Sequence, residues 1–285
     1  MKASLPARAL RVLAIAAIIA WSLGPVAVGA ITSLSSQNDV NAVPARWIPH
    51  NFSTDAYKAL ITGTNTNTGN TAADASAFGD SLLSSVEVTV EATIATLVVS
   101  VMAGYAFSRL QFRGSKLLLW AVLATLIIPL FTLVVALFKL MVQLHLVNTQ
   151  IGLDLVYLSS LAPLAIWLFY NHCRELPLEP EEAALIDGCT RWQAFWKVVL
   201  PQMRSGIAAV AAIVMLLVYG QFLIPLLLSS SSSTTPVTVL ITDFVGKYTT
   251  NYPLLAAAGV IALLPPAIVA LALNGQIRGM LSGST

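Results

Sequence analysis

Long apolar stretches alternate with shorter polar segments along the whole chain. A helix needs about 20 apolar residues to cross the hydrocarbon core of a bilayer. By this criterion the pattern predicts six membrane-spanning helices, at 12–34, 82–107, 117–138, 151–170, 206–228 and 253–273. The predicted fold is therefore that of an all-α integral membrane protein with six transmembrane helices.

The polar segments divide the rest of the chain. Residues 1–11 and 274–285 are the two tails, and the long connection at 174–204 lies on the same side of the membrane as both of them. The connections at 35–80 and 229–252 lie on the opposite side. The first of these contains a Thr/Asn/Gly tract with little to bury, which predicts an irregular segment.

Composition supports the membrane assignment. Hydrophobic residues make up 57% of the 285 positions and charged residues only 10%, whereas a soluble domain has about 25% charged residues. A soluble enzyme is therefore excluded. The net charge is +2, and the basic residues are scattered rather than gathered in one stripe, so no nucleic-acid partner is predicted.

The positions of Lys and Arg predict the orientation. Eleven of the 15 Lys and Arg residues fall in the tails, in the connection between the second and third spans, or in 174–204. Because cytoplasmic segments are enriched in these residues, both termini and 174–204 are predicted to be cytoplasmic. The first apolar stretch has an alternative interpretation as a secretory signal peptide, although it is about twice as long as a usual signal core.

The segment 181–201, EEAALIDGCTRWQAFWKVVLP, predicts two short helices joined by a glycine. Pro180 is well suited to the first position of a helix. The acids at 181–182 then lie in the first turn, where the positive end of the helix dipole stabilises negative charge. Gly188 suits the end of this first helix. Thr190 and Gln193 form a capping box for a second helix.

The first helix has small residues flanked by acids, which favours insertion into a groove of another protein. The alternative is a short helix on the membrane surface. Interfacial helices usually carry Lys and Arg, whereas this one carries Glu. On the second helix, Trp192, Phe195, Trp196 and Val199 recur at helical spacing and predict one apolar face.

These residues resemble a known motif. Glu182-Ala183-Ala184, then Gly188, nine further residues and Val198-x-Leu200-Pro201 are similar to the EAA loop of ABC-importer permeases, whose pattern is E-A-A-x3-G-x9-I-x-L-P. Two mild departures are Val198 in place of Ile and Cys189 in place of a common Ala.

The resemblance extends over most of the chain. Residues 105–114, YAFSRLQFRG, resemble the YAFAR-x-x-FPGK segment of carbohydrate-uptake permeases, and residues 146–153, LVNTQIGL, resemble their L-x-N-T-x-x-G-L. The end of the chain, 275–283, is a loose version of their tail. The sequence is thus identified as similar to the maltose-type, MalG-like second permease subunit of ABC sugar importers, with one permease domain at about 80–280.

The resemblance implies a multi-pass subunit of a bacterial plasma membrane that works with several partners. These are a second permease in a heterodimer, two ATP-binding subunits and an extracytoplasmic solute-binding protein. The chain itself is then not an enzyme and holds no cofactor, because ATP and Mg are bound by the partner subunits. Its own residues for coupling to the ATPase are implied to be Glu182, Ala183, Ala184, Asp187 and Gly188.

Polar residues within the spans suggest a substrate pathway. Glu87 and Glu91 lie one turn apart, and charges in a membrane are costly unless they face a cavity or an interface. A water-filled pathway and a location at the outer membrane surface both explain them. Tyr219 and Gln221 lie within the fifth span, where Gln221 is placed either to bind sugar hydroxyls or to bond to another helix.

Two other functions are compatible with a chain of many apolar segments. An ion-coupled secondary carrier is the alternative, although no internal repeat is evident, as such carriers would have. A membrane enzyme is disfavoured because His50, His145 and His172 are dispersed, with no H-E-x-x-H or other catalytic spacing. The sequence also has no G-x4-G-K-[ST] pattern, which agrees with a permease that hydrolyses no ATP. Cys173 and Cys189 have no metal-binding spacing, so neither catalytic nor metal-ligating residues are predicted.

Overall fold

The computed structural model describes residues 5–43, 48–50, 52–63, 75–110, 112–229, 234–245 and 250–273. Within these ranges the chain forms helices and turns without a strand, apart from one isolated bridge between Val245 and Thr250. The all-α prediction is therefore confirmed. The expectations for the Thr/Asn/Gly tract and the 274–285 tail fall outside the described residues.

The helices are numbered in chain order. They are α1 (Leu5–Ser33), α2 (Gln37–Val40), α3 (Asp55–Thr62), α4 (Phe78–Arg109), α5 (Ser115–Ala124), α6 (Leu130–Gln143), α7 (Gln150–Glu175), α8 (Glu179–Ile186), α9 (Arg191–Ala194), α10 (Leu200–Gln202), α11 (Arg204–Tyr219), α12 (Leu223–Leu228), α13 (Val237–Asp243), α14 (Tyr252–Ala262) and α15 (Leu264–Ala272).

Several helical segments are long and apolar enough to cross a membrane. Among the described residues four qualify as unbroken segments, namely Leu10–Ser33, Ala75–Arg109, Gln150–Glu175 and Tyr252–Ala272. Two further pairs qualify if each bent pair counts as one span: Ser115–Ile127 with Leu130–Gln143, and Arg191–Gln202 with Arg204–Tyr219. The chain therefore has four to six candidate membrane spans.

The third predicted span, 117–138, is divided by an elbow at Ile128 and Pro129. Ile128 has extended backbone angles, with φ −77° and ψ 118°, because a residue before proline is pushed out of the α region. Pro129 then starts α6 as its N-cap. The two arms are bent by 99° relative to each other, a feature that continuous apolarity in the sequence does not reveal.

The fifth predicted span, 206–228, also differs from one straight helix. Helix α11 ends at Tyr219, and the chain resumes helix at Leu223 after a break at 220–222. Pro225 contributes to this break because it cannot donate the hydrogen bond that would continue the helix. At the other end, α11 is bent by 73° from the preceding Arg191–Gln202 segment.

Contact clustering divides the chain into two compact units. The first comprises residues 1–82 and 237–264. Within it α1 packs against α14, which also contacts α3. The side chain of Gln37 donates to the Thr250 carbonyl at 2.8 Å and accepts from the Tyr252 amide at 3.1 Å. These bonds fix the start of α2 to the start of α14.

The second unit comprises residues 83–236 and 265–285. Its core is formed largely by α4, α7 and α11, with the fully buried Phe169 and Val210 among its members. Glycines allow these helices to approach closely. A methyl group at Gly104 would collide with Phe169, and one at Gly206 would collide with the His172 ring.

The segment that resembles L-x-N-T-x-x-G-L has a clear structural role at the start of α7. Asn148 takes the left-handed conformation, with φ 60°, and its amide donates to the Leu228 carbonyl at 2.8 Å. Thr149 is the N-cap, and its hydroxyl accepts from the Gly152 amide at 3.1 Å. This turn therefore connects α7 to the end of α12.

Candidate functional site

Helix α8 is a two-turn helix whose start and end follow the predicted chemistry. Its first turn holds Pro180 and three acids. At its end, the Cys189 amide donates to the Ala184 carbonyl at 3.0 Å, and the Gly188 amide to the Leu185 carbonyl at 3.2 Å. This pair of bonds is a Schellman motif. Gly188 has φ +89° with open space around it, so the backbone conformation, not crowding, requires glycine.

The coupling residues implied by the EAA resemblance lie together on α8 and its C-terminal turn. Glu182, Ala183, Asp187 and Gly188 are exposed, and Ala184 is half-buried. Ile186 lies among them with 86% of its surface exposed. We call this set, 182–184 with 186–188, the exposed face of α8. These residues form a continuous exposed strip on the side of α8 that is not packed against the rest of the protein.

The opposite side of α8 holds Glu181, which is only 5% exposed. The Tyr105 hydroxyl donates to its Oε1 at 2.6 Å. Its Oε2 lies 3.5 Å from Arg109 Nε, and both side chains are nearly fully buried. That geometry is an ion pair without a hydrogen bond between those two atoms. We call Tyr105, Arg109 and Glu181 the Glu181 cluster.

The Glu181 cluster connects several elements. Tyr105 and Arg109 come from the last turns of α4, and Arg109 Nη2 also donates to the Leu176 carbonyl at 2.8 Å, just after α7. The ring of Phe195, which follows α9, lies 4.8 Å from the Tyr105 ring, measured between centroids. Removing one partner of a buried ion pair costs about 3–5 kcal/mol, so this contact fixes α8 firmly to α4.

The sequence analysis missed the Glu181 cluster. It treated the two neighbouring acids of α8 alike, as residues that favour the helix dipole. One signal was available: Tyr105 and Arg109 are four residues apart, hence on one face of α4, and both belong to the YAFSR segment. A Tyr and an Arg on one face at the end of a predicted span indicate an acidic partner nearby, without identifying which acid.

The second helix of the segment is capped as predicted. The Thr190 hydroxyl accepts from the Gln193 amide at 3.2 Å, and Gln193 Oε1 accepts from the Thr190 amide at 2.9 Å. The predicted apolar face is only partly buried, however. Phe195 and Val199 are buried, whereas Trp192 and Trp196 are 57% and 49% exposed. A π-helical turn at Phe195–Val199 interrupts the regular α-helical spacing of this face.

Glu87 and Glu91 lie on the exposed side of α4. The structure places Asp154, on α7, near enough to Glu91 for the two acids to interact electrostatically. The carboxyl oxygen Oδ1 of Asp154 is buried without a hydrogen-bond partner. The sequence analysis did not include Asp154, because nothing in the sequence indicates that α4 and α7 meet at this level.

The predicted pathway residues do not gather in one place. Tyr219 lines an apolar cavity of about 60 Å³ beside α4 and α15. Gln221 lines a separate cavity of about 560 Å³, together with the elbow at Pro129 and the hydroxyl groups of Ser159 and Ser160. Three threonines of α4 are buried on another side of the helix from the two acids: Thr89, Thr93 and Thr96.

The described residues contain no group of three His, Cys, Asp or Glu side chains that could hold a metal ion. Cys173 is buried at the end of α7, and Cys189 is half-buried after α8. What the geometry provides is an exposed helix fixed to a membrane bundle, with acidic and polar positions within that bundle. These features suit transmission of movement and passage of a solute.

Comparison with known proteins agrees with a role in solute transport. Residues 96–278 match the family described as binding-protein-dependent transport system inner membrane component. The diacetylchitobiose uptake system permease protein NgcG of Streptomyces coelicolor is 33% identical over 209 residues, covering 73% of this chain and 69% of that protein. The trehalose transport system permease protein SugB of Mycobacterium tuberculosis is 29% identical over 270 residues, covering 94% and 93%.

The fold is also known. A chain of the bacterial ABC transporter that imports the acidic polysaccharide alginate superposes with a TM-score of 0.79 at 18% identity, covering 96% of this chain and 99% of that one. Members of the matched family are transport subunits rather than enzymes, which confirms the predicted permease and leaves the ion-coupled carrier without support. The chain therefore belongs to the family of binding-protein-dependent transport system inner membrane components, the permease subunits of ABC importers.

Proposed function

We propose that this permease moves a sugar or a sugar-like solute inward by alternating access, driven by a separate ATPase. The observation that carries the proposal is the family match over residues 96–278, which includes α8. The names of the relatives support a carbohydrate substrate, since they specify diacetylchitobiose and trehalose. In alternating access, rigid elements rock between inward-open and outward-open states.

The proposed topology has six spans, with each bent helix pair counted as one crossing. The permease domain occupies about 80–280, α8 lies in the cytoplasm between the fourth and fifth spans, and both termini are cytoplasmic. The Lys and Arg distribution supports this orientation. The protein is then a multi-pass component of the bacterial plasma membrane.

The exposed face of α8 is the proposed docking surface for the ATPase. Glu182 is assigned a charge contact with a basic residue of the ATPase. Ala183 and Ala184 allow close approach, Asp187 closes the helix, and Gly188 forms the joint to the next helix. The exposure of Glu182, Ala183, Asp187 and Gly188 leaves these residues accessible to a partner subunit.

The assembly contains a second permease subunit, two ATP-binding subunits and an extracytoplasmic solute-binding protein. ATP and Mg act in the ATP-binding subunits, and this chain supplies the coupling surface and part of the pathway. For the pathway we propose Glu87, Glu91, Tyr219 and Gln221. The cavity that joins Gln221 to the hydroxyl groups of α7 supports its role, since sugars are bound through their hydroxyl groups.

The proposal is tested with the assembled transporter in cells that lack the native chain. Uptake of radiolabelled trehalose and N,N′-diacetylchitobiose is measured with wild-type protein, with Glu182→Lys, and with Glu175→Lys as a matched control on the exposed end of α7. Co-purification of the ATP-binding subunit is measured for each. We expect Glu182→Lys to lower sugar uptake and the amount of co-purified ATP-binding subunit. Glu175→Lys should change neither quantity.

Energy dependence provides the second measurement. Uptake by the wild-type transporter should stop when ATP is depleted and persist when an ionophore collapses the ion gradients. The proposal is contradicted if the purified chain alone transports either sugar in response to an ion gradient, or if no ATP-binding subunit accompanies the wild-type protein.

A further inference from the structure

We infer that the Glu181 cluster is the link through which movement of α8 reaches α4, which makes Glu181 a positioning residue for coupling. The inference rests on the proposed function, in which α8 is moved by the ATPase. It concerns a different residue from those of the docking surface: Glu181 is buried, whereas Glu182 is exposed.

Helix α8 depends on its attachments to transmit movement. It has eight residues, and a helix of this length is not stable alone. It packs against α9 and the π-helical turn, and that segment leads through α10 into α11. Its tie to α4 is the side chain of Glu181, held by Tyr105 and Arg109. One docking helix is thereby joined to two different membrane helices.

The contacts of the cluster suit a stiff link. The 2.6 Å bond from Tyr105 to Glu181 is in the short range of hydrogen bonds to a carboxylate. The guanidinium of Arg109 contacts the same carboxylate and the Leu176 carbonyl, so it also fixes the chain just before α8. Because the side chains are buried, water does not compete for these contacts.

The exposed and buried sides of α8 therefore have separate tasks. Movement of the ATPase, transmitted through its contact with Glu182 and Ile186, displaces α8 as a rigid body. The Glu181 cluster converts this displacement into movement of the inner end of α4, while packing against Phe195 transfers it toward α11. Loss of the cluster should leave docking possible but loosen the relation between ATP hydrolysis and transport.

The test uses the complete transporter in proteoliposomes, with whichever of trehalose or N,N′-diacetylchitobiose the wild type imports. The measured quantity is the number of ATP molecules hydrolysed per sugar imported. For Glu181→Gln we expect this ratio to rise roughly tenfold, a magnitude common for coupling between sites. Tyr105→Phe, which removes one hydroxyl group, should raise it about threefold. Exchanging the charges, with Glu181→Arg and Arg109→Glu together, should restore part of the coupling.

Tyr170→Phe is the matched control, because this tyrosine lies near the end of α7 and bonds only to Arg174 among the contacts described. The number of ATP molecules hydrolysed per sugar imported should be the same for Tyr170→Phe as for the wild type. If Glu181→Gln prevents assembly, Tyr105→Phe decides alone. An unchanged ratio in Tyr105→Phe, in an assembled complex, overturns the inference. Absence of an ATP-binding subunit from the wild-type complex would instead refute the proposed function, so the two failures are distinguishable.

Discussion

At the scale of single residues, neighbouring acids of α8 differ in environment although they look equivalent in the sequence. Successive residues of a helix are rotated by about 100°, so Glu181 points toward α4 while Glu182 points away from it. The EAA resemblance identified the exposed residues of this helix. It could not identify the buried acid, because Glu181 is buried against Tyr105 and Arg109 of α4, and Tyr105 lies 76 residues away in the sequence.

A residue-scale prediction concerns the acids of the proposed pathway. Asp154→Asn and Glu91→Gln each replace one acid of an interacting pair on two membrane helices by an amide. We expect each to lower the sugar uptake rate roughly threefold, the effect of an interhelical polar contact of about 0.6 kcal/mol, without changing assembly. Glu87→Gln should also lower uptake if this acid lines the pathway.

The control for these variants is Glu175→Gln, at the exposed end of α7. Uptake and the amount of assembled complex are measured for all four proteins. If uptake by the Glu91, Glu87 and Asp154 variants is the same as with the control, these acids lie at an interface and do not line the pathway.

At the scale of elements, the apolar pattern predicted where helices occur but not where they bend. The sequence stays apolar through Pro129 and through the 220–222 break. A hydropathy criterion therefore predicts one continuous helix at each place, where the structure has two helices. Proline gives a local reason for each interruption. The size of each bend depends on the neighbouring helices, and those contacts are not visible in the sequence of one segment.

An element-scale prediction concerns the close approach of α4 and α7. Gly104→Ala would place a methyl group against the backbone and Cβ of Phe169, and overpacking of this kind costs about 1–3 kcal/mol. We expect a lower thermal unfolding temperature for the detergent-solubilised protein. Gly79→Ala, on the same helix with open space around it, should leave the temperature unchanged. Equal temperatures for both variants would contradict this packing.

At the scale of the whole molecule, composition predicted the class of protein correctly. Large apolar side chains remain exposed along the helices, among them Trp21 at 86%, Ile127 at 81% and Phe131 at 78%. In a soluble protein such surfaces would cause aggregation, whereas in a membrane they face lipid or other subunits. The orientation of the chain across the membrane follows only from the Lys and Arg distribution, and it needs a direct test.

The two cysteines provide that test. Cys189 is half-buried beside α8, whereas Cys173 is fully buried. A membrane-impermeant maleimide should label the protein in inside-out vesicles but not in intact cells. Cys189→Ser should abolish this labelling, and Cys173→Ser should leave it unchanged. Labelling of Cys189 in intact cells would reverse the proposed topology.

The elbow at Pro129 affects the surrounding lipid. Each of its arms has at most 14 residues and is therefore about 20 Å long. With a bend of 99°, the two arms together reach only about 26 Å from end to end, less than the hydrocarbon thickness of about 30 Å. If this bent pair is one crossing, as proposed above, acyl chains beside the elbow shorten or tilt to match it, at a cost of fractions of a kcal/mol per Å. In that topology the fit of this subunit to its bilayer depends on acyl-chain length.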